Sequence, residues 1–258
     1  MKWIAPLLLF SLSCLAQDTA VGVHAPDGGT FEQINSILIP PVLHAPFSVT
    51  VTAEWTKIFE DGSSQTVHNH RLVVRDSAGR IYQERRRLVP ADSTEESDVQ
   101  RVEISDPAAH SKYFCHVATQ VCTLEDYTGP SPASAEPVGL QRDKYGSLTV
   151  ENLGKTVISG LDVVGTRETR ILNPGAIGND RSISIIKEIW YSPQLGINLS
   201  VKRSDPRHGT EIFNVTDISL AEPDAKYFEL PAGFKVIDHR VKPHTASSGV
   251  ASSSGEQN

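Results

Sequence analysis

Apolar and polar side chains alternate along much of the central chain. Residues 49–56 carry valine, alanine and tryptophan at odd positions and threonine or glutamate at even positions. Residues 197–202 repeat the pattern, with isoleucine, leucine and valine against asparagine, serine and lysine. Because successive side chains of a strand point to opposite faces, a period of two predicts half-buried β-strands.

The same reasoning predicts a series of strands separated by tight turns. Besides the stretch from Phe47, the predicted strands are 66–75, 80–88, 99–104, 148–152, 156–159, 161–172, 182–191, 197–202 and 211–219. Asp61-Gly62 and Asp76-Ser77-Ala78-Gly79 are typical turn sequences. Residues 127–144, rich in proline, serine and glycine, are predicted to form a loop. Helix is expected only as short pieces over 31–39 and 223–228.

These elements predict a mainly β protein with one antiparallel domain over residues 47–240. One face of the sheet is expected to be packed and the other solvated. Residues 17–46 are interpreted as an N-terminal extension and 241–258 as a disordered tail.

The first residues resemble an export signal. Lys2 precedes a short apolar run, which is typical of a signal peptide over residues 1–16 and is too short to cross a bilayer. Cleavage after Ala16 would release a periplasmic or secreted protein. Alternatively, Ser11-Leu12-Ser13-Cys14 resembles a lipobox, in which case Cys14 would carry a lipid anchor. No transmembrane segment is expected.

Two of the chain's three cysteines follow Cys14 in the sequence, at Cys115 and Cys122. A hairpin turn between His116 and Val121 would place the two cysteines directly opposite each other on paired strands. The Cα–Cα distance between directly opposite residues on paired strands suits a disulfide, and an oxidising compartment favours its formation. The alternative, a redox-active or metal-binding pair, does not fit the spacing.

Charge and motif content exclude several function classes. The net charge is −7, so no basic field would recruit nucleic acid. The sequence contains no nucleophile elbow, zinc-protease, phosphate-loop or dinucleotide motif, and no cofactor is expected. His68 and His70 would share one strand face, but a metal site would need a third ligand such as His110 or His116.

Two residue sets are candidates for binding. The aromatic set would line an apolar ligand pocket, or alternatively belong to the ordinary core; it comprises Trp55, Trp190, Tyr191, Phe213 and Phe234. The arginine set would bind an anion or an acidic partner, or alternatively lie solvated at a strand edge; it comprises Arg80, Arg85 and Arg87, with Arg86 beside them.

Several turns and strand ends also resemble a known superfamily. These are residues 190–196, Ser204-Asp205-Pro206, residues 221–224 and 230–236, and residues 76–80 before the arginine-rich strand. They resemble uncharacterised secreted bacterial proteins whose strand pattern is similar to the LolA/LolB-like lipoprotein carriers. The resemblance implies a strongly curved antiparallel half-barrel whose concave face takes a lipid chain or an apolar peptide.

The sequence therefore suggests a non-enzymatic envelope protein that binds a lipid, a lipoprotein segment or another apolar ligand. The alternatives are a regulatory module that docks another envelope protein, and a hydrolase whose site the motifs do not reveal.

Overall fold

A computed structural model of the protein describes residues 37–129 and 138–240. The expected signal peptide, the lipobox, most of the N-terminal extension and the C-terminal tail lie outside these ranges. The strands are β1 (Phe47–Ile58), β2 (Ser64–Arg75), β3 (Ile81–Arg86), β4 (Val89–Pro90), β5 (Val99–Asp106), β6 (Ser111–His116), β7 (Val121–Asp126), β8 (Gly139–Asp143), β9 (Gly146–Ile158), β10 (Leu161–Leu172), β11 (Ile183–Ser192), β12 (Ile197–Asp205), β13 (Gly209–Ser219) and β14 (Lys235–Asp238).

All fourteen strands belong to one sheet, in the order β14-β7-β6-β5-β3-β2-β1-β13-β12-β11-β10-β9-β8, with β4 paired to β2. Every pairing is antiparallel except that of β14 with β7. The sheet is curved and does not close on itself. The predicted fold class, a mainly β protein built on one curved antiparallel sheet, is confirmed.

Three local predictions were wrong. Residues 146–158 form one strand instead of two, because a bulge at Gly154, with φ of +85°, keeps the pairing with β10 intact. The expected loop over 127–144 contains edge strand β8, which the Asp143 carboxylate ties into a hairpin by accepting from the backbone of Tyr145 and Gly146. Of the expected helix over 31–39, the described residues 37–39 are not helical.

The second predicted helical piece is present as a 3₁₀ turn over Ala225–Phe228. The Asp224 side chain caps this turn by accepting a hydrogen bond from the backbone N–H of Lys226. The ring of Tyr227 lies 5.3 Å from that of Tyr82 on β3, so the segment is held against the sheet.

The two halves of the sheet bury opposite faces. Face A is defined here as the side that carries Phe47, Val49 and Val51 of β1, and face B as the other side. The main apolar cluster includes face A residues of β1–β3, residues of β10, β12 and β13 such as Leu199 and Phe213, and Ile37 and Ile39 from the segment before β1. The second cluster lies on face B of β3–β7, where Val102, Ile104, Cys115 and Cys122 pack together.

One row of cross-strand partners shows where face A changes character. From β1 to β6 the row runs Val49, Val73, Gln83, Glu103 and Phe114. It is apolar in the first two strands, and then an amide and a carboxylate replace the aliphatic side chains. At this row face A of β3 and β5 is therefore polar although it lies beside the main core, and Phe114 of β6 is apolar again.

Arg75 of β2 is the largest fully buried side chain on face A, with 0% exposure. Its guanidinium group donates hydrogen bonds of 2.7 to 2.9 Å to the carbonyl oxygens of Ala45, Pro40 and Leu195. Burial lowers the pKa of Arg75 to about 10, so the group remains charged at neutral pH. Arg75 thus fastens residues 40–45 and the β11–β12 turn to the sheet.

Replacing Arg75 with methionine should destabilise the fold strongly. Methionine keeps much of the apolar volume but leaves three carbonyl groups without their donor, at about 1 kcal/mol or more each. We expect the free energy of unfolding in urea to fall by at least about 3 kcal/mol.

Arg181→Met is the matched control, because the Arg181 side chain is 90% exposed. It should change the same quantity by less than about 0.5 kcal/mol. Equal effects of the two substitutions would contradict the role given to Arg75.

The predicted disulfide is confirmed, since Cys115 and Cys122 are register partners on β6 and β7 and are bonded to each other. The bond closes a short loop, with a sequence separation of 7.

Reducing the disulfide should lower the free energy of unfolding by about 2 kcal/mol, measured in urea with and without a phosphine reductant. The Cys115→Ala, Cys122→Ala double variant should not respond to the reductant. A wild type that is equally insensitive would show that the disulfide does not stabilise the fold.

Candidate functional site

A cavity of about 170 Å³ lies on the polar part of face A and is called here the β3–β6 cavity. Its apolar lining comes from Ile37, Leu38, Ile39 and Ile81. Its polar lining comes from Gln83, Arg85, Ser105, Lys112, Tyr127 and Thr128. Apolar surface and hydrogen-bonding groups therefore meet in one small space.

Strand register explains why these side chains converge. Ile81, Ser105 and Lys112 are consecutive cross-strand partners on β3, β5 and β6, so they share face A. Gln83 and Arg85 follow Ile81 at a spacing of two and point the same way. The segment at 37–39 adds the apolar lining from outside the sheet.

Glu103 is a buried carboxylate beside the cavity, with 1% exposure. Arg85 Nε and Arg101 Nη2 lie 2.9 and 2.6 Å from its Oε1. Lys112 Nζ lies 3.4 Å from Oε2, and Gln83 Nε2 donates to Oε2 at 3.0 Å. Burial alone would raise the pKa of Glu103, but the hydrogen bond and charge of Arg85, with Lys112 and Arg101, lower it to about 2.

Arg71 of β2 adds a further cation to this region. It is buried, and it donates to Gln83 Oε1 at 3.0 Å and to the carbonyl of Ile37 at 3.4 Å. Burial, and then the charge of Arg85, lower the pKa of Arg71 to about 9. Arg71 therefore connects the charged cluster to the segment that lines the cavity.

Two hydrogen-bonding atoms in this region are buried and have no partner within residues 37–129 and 138–240: the hydroxyl of Tyr127, which lines the cavity, and Nε of Arg101. Burial raises the pKa of Tyr127, so its hydroxyl stays protonated and can donate. A buried donor without an acceptor costs about 1–3 kcal/mol, so the Tyr127 hydroxyl can gain from a ligand in the cavity.

The five aromatic candidates do not meet in one place. Phe213 belongs to the main cluster and Trp190 packs against it, close enough to Gly165 that a Cβ there would lie 2.5 Å from the ring. Tyr191 is exposed. Trp55 donates from Nε1 to the carbonyl of His208 at 2.7 Å, and Phe234 packs against the second cluster, on face B.

The three arginine candidates also point to separate partners. Arg80 pairs with Asp76 at 2.7 Å, and Arg85 pairs with Glu103 inside the cavity region. Arg87 lies 3.5 Å from Glu95 and 3.6 Å from Asp98. Arg85 does not lie at a sheet edge, because β3 lies between β2 and β5, whereas Arg80 and Arg87 flank β3 and Arg87 is exposed. Only Arg85 belongs to the cavity lining.

The histidine pair lies elsewhere on the sheet. His68 and His70 line a cavity of about 330 Å³ with Thr52, Glu54 and Asn214. Within the described ranges no group of three histidine, cysteine, aspartate or glutamate side chains is arranged to hold a metal ion. In the turn at 204–209, buried Asp205 pairs with Arg207 at 2.7 Å, and His208 Nδ1 lies 3.3 Å away.

Sequence reasoning missed several residues of the cavity region. Arg101 and Glu103 alternate with Val102 and Ile104, which indicates a strand but assigns the charged side to solvent. A usable signal was present: Arg101 and Glu103 lie in the predicted strand that follows the arginine-rich strand of residues 80–88. Tyr127 carries no signal, because it lies in a segment without a periodic pattern, and Leu38 lies in the segment 31–39 that the sequence predicts to be helical.

Glu103 should make stability depend on acid pH. A carboxyl whose folded-state pKa is depressed stabilises the fold above its unfolded pKa, and that contribution is lost as the pH falls through the folded value. For Glu103 the window is pH 4.5 to 2. Glu103→Gln should be less stable than wild type at pH 7, and the difference should shrink by about 3 kcal/mol across this window.

Urea unfolding at a series of pH values measures this difference. Glu60→Gln, at an exposed position in the β1–β2 turn, is the control and should follow the wild type. A Glu103→Gln curve that runs parallel to the wild type down to pH 2 would show that the cluster does not hold the carboxylate as an anion.

No helix within the described residues is long and apolar enough to cross a bilayer. No protein-family model and no curated protein matches the chain. Among solved structures, the chain is similar to an uncharacterised conserved protein from Thermus thermophilus. The identity is 10%, the TM-score is 0.40, and the match covers 76% of this chain and 91% of that chain.

The chain is also similar to a chain of the MucA/MucB complex of Pseudomonas aeruginosa, at 14% identity and a TM-score of 0.36, over 74% of this chain and 58% of that chain. A LolA superfamily protein from Nitrosomonas europaea matches at 11% identity and a TM-score of 0.27, over 72% of this chain and 90% of that chain. This last structure carries the name of the superfamily that the sequence resembles.

Proposed function

We propose that the chain is a non-enzymatic binding protein of the bacterial cell envelope that holds a lipid or another apolar ligand against face A of its sheet. The observation that carries the proposal is the β3–β6 cavity, where Ile37, Leu38, Ile39 and Ile81 provide an apolar lining. Small-molecule sites are typically concave and mostly apolar, with a few polar groups that orient the ligand. The export signal predicted at residues 1–16 supports the location.

Part of the aromatic set contributes to this site indirectly. Ile37, Ile39 and Ile81 belong to the same apolar cluster as Phe213, and Trp190 packs against that cluster. The apolar lining is therefore continuous with the main core and has a rigid support. Trp55 and Phe234 have no part in this proposed site.

The charges beside the cavity suit binding better than catalysis. Glu103 is held as an anion by Arg85, Arg101 and Lys112, so it is a poor proton acceptor near neutral pH. The remaining groups offer hydrogen bonds and positive charge. We therefore propose that these side chains orient a ligand without transforming it.

Leu38 provides a direct test, because its side chain is 61% exposed yet lines the cavity. Leu38→Asp should fold normally and weaken binding of uncharged octan-1-ol about tenfold, since a charge would replace apolar contact surface. Binding is measured by amide chemical-shift titration, and the wild-type shifts should centre on residues 37–39 and 81.

Leu43→Asp is the matched control, with a leucine that is 64% exposed and does not line the cavity. It should bind octan-1-ol within about twofold of wild type. Shifts spread evenly over the surface, or equal losses in the two variants, would refute the proposed site.

A further inference from the structure

Positive charge exceeds negative charge around the β3–β6 cavity. The cations on face A of β2–β6 are Arg71, Arg75, Arg85, Arg101 and Lys112. The carboxylates are buried Glu103 and exposed Glu125, the register partner of Lys112. Because partly buried charges are poorly screened, this excess attracts a further negative group.

Hydrogen-bond capacity in the cavity points the same way. The Tyr127 hydroxyl is a buried donor with no acceptor in the described ranges, and it lines the cavity together with Lys112. A carboxylate or phosphate oxygen accepts hydrogen bonds and donates none, so it matches both side chains. An uncharged alcohol could satisfy Tyr127 but would leave the charge excess in place.

The apolar lining limits what else the ligand can be. Ile37, Ile39 and Ile81 contact the same space as Lys112 and Tyr127. A small inorganic anion would make no apolar contact with this part of the lining, which also includes the 61% exposed Leu38, and a hydrocarbon would leave the polar groups unsatisfied. The combination fits an amphiphile with one anionic end.

We propose, building on the function proposed above, that the ligand of the β3–β6 cavity carries an anionic head group, which Lys112 and Tyr127 bind while its hydrocarbon chain contacts Ile37, Ile39 and Ile81. A carboxylate and a phosphate share this chemistry. The cavity thus selects anionic amphiphiles over neutral ones of the same length.

Titration of the full chain with octanoate, octyl phosphate and octan-1-ol tests this selectivity. At least one of the two anions should bind roughly ten- to a hundredfold more tightly than the alcohol, as expected for a charge-assisted hydrogen bond. The tighter of the two anions identifies the head group. If the alcohol binds as tightly as both anions, the inference is wrong and the proposed function stands. If none of the three binds, the proposed function fails as well.

Two variants locate the head group. Tyr127→Phe removes only the unpaired hydroxyl, and Lys112→Gln removes a charge while Glu103 keeps Arg85, Arg101 and Gln83. Each should weaken binding of the preferred anion about tenfold and leave octan-1-ol binding within about twofold. Lys202→Gln, at an exposed position on β12, is the control and should leave anion binding unchanged. Unchanged anion binding in the Tyr127 and Lys112 variants would overturn the assignment.

Discussion

The charge of Arg75 is buried beneath backbone residues 40–45, which are called the strap here. This burial is the constraint on which the site depends. A guanidinium group removed from water must keep its hydrogen bonds, and here the carbonyls of Ala45, Pro40 and Leu195 accept them. These contacts fix residues 40–45 against the sheet. The residues directly before this strap are Ile37–Ile39, which line the β3–β6 cavity. Arg71 reinforces the arrangement by donating to the carbonyl of Ile37.

The exchange of buried faces within one sheet explains why a polar cavity lies next to an apolar core. The main apolar cluster includes face A residues of β1–β3 together with residues of β10, β12 and β13, whereas β5–β7 bury apolar side chains on face B around the disulfide. Face A of β3–β6 is left with Gln83, Arg85, Glu103 and Lys112, partly covered by the 37–39 segment. Where the main apolar cluster meets these polar side chains, aliphatic and charged groups line the same cavity.

The strands could be predicted well because their signal is local. The predicted bounds of β10, Leu161–Leu172, match the structure, and the Cys115–Cys122 hairpin follows from spacing alone. Strand β8 could not be predicted in the same way, because its five residues lack alternation and depend on pairing with β9. The aromatic set predicted the position of the site less well, since aromatic side chains can pack on either face of a sheet. Phe213 lies in the main cluster, for example, and Phe234 packs on face B.

The site was harder to predict because it is made by contacts between distant parts of the chain. Alternation places Arg101 and Glu103 on one face of a strand, but it does not reveal that residues 37–39 lie over the neighbouring part of that face. Which arginine faces the cavity also depends on register: Arg85 does, whereas Arg80 and Arg87 pair with other carboxylates. Periodicity reports which side chains share a face and carries no information about what covers that face.

In the proposed complex, one cavity holds the apolar chain of a ligand at one end and its anionic head at the other. Isotope-filtered nuclear Overhauser measurements on the labelled full chain with bound octanoate test this most directly. We expect contacts from the terminal methyl group of octanoate to the methyl groups of Ile37, Ile39 and Ile81, and from the methylene next to the carboxylate to Lys112 and Tyr127. Contacts in the reverse order, or only to exposed side chains such as Val157 of β9, would contradict it.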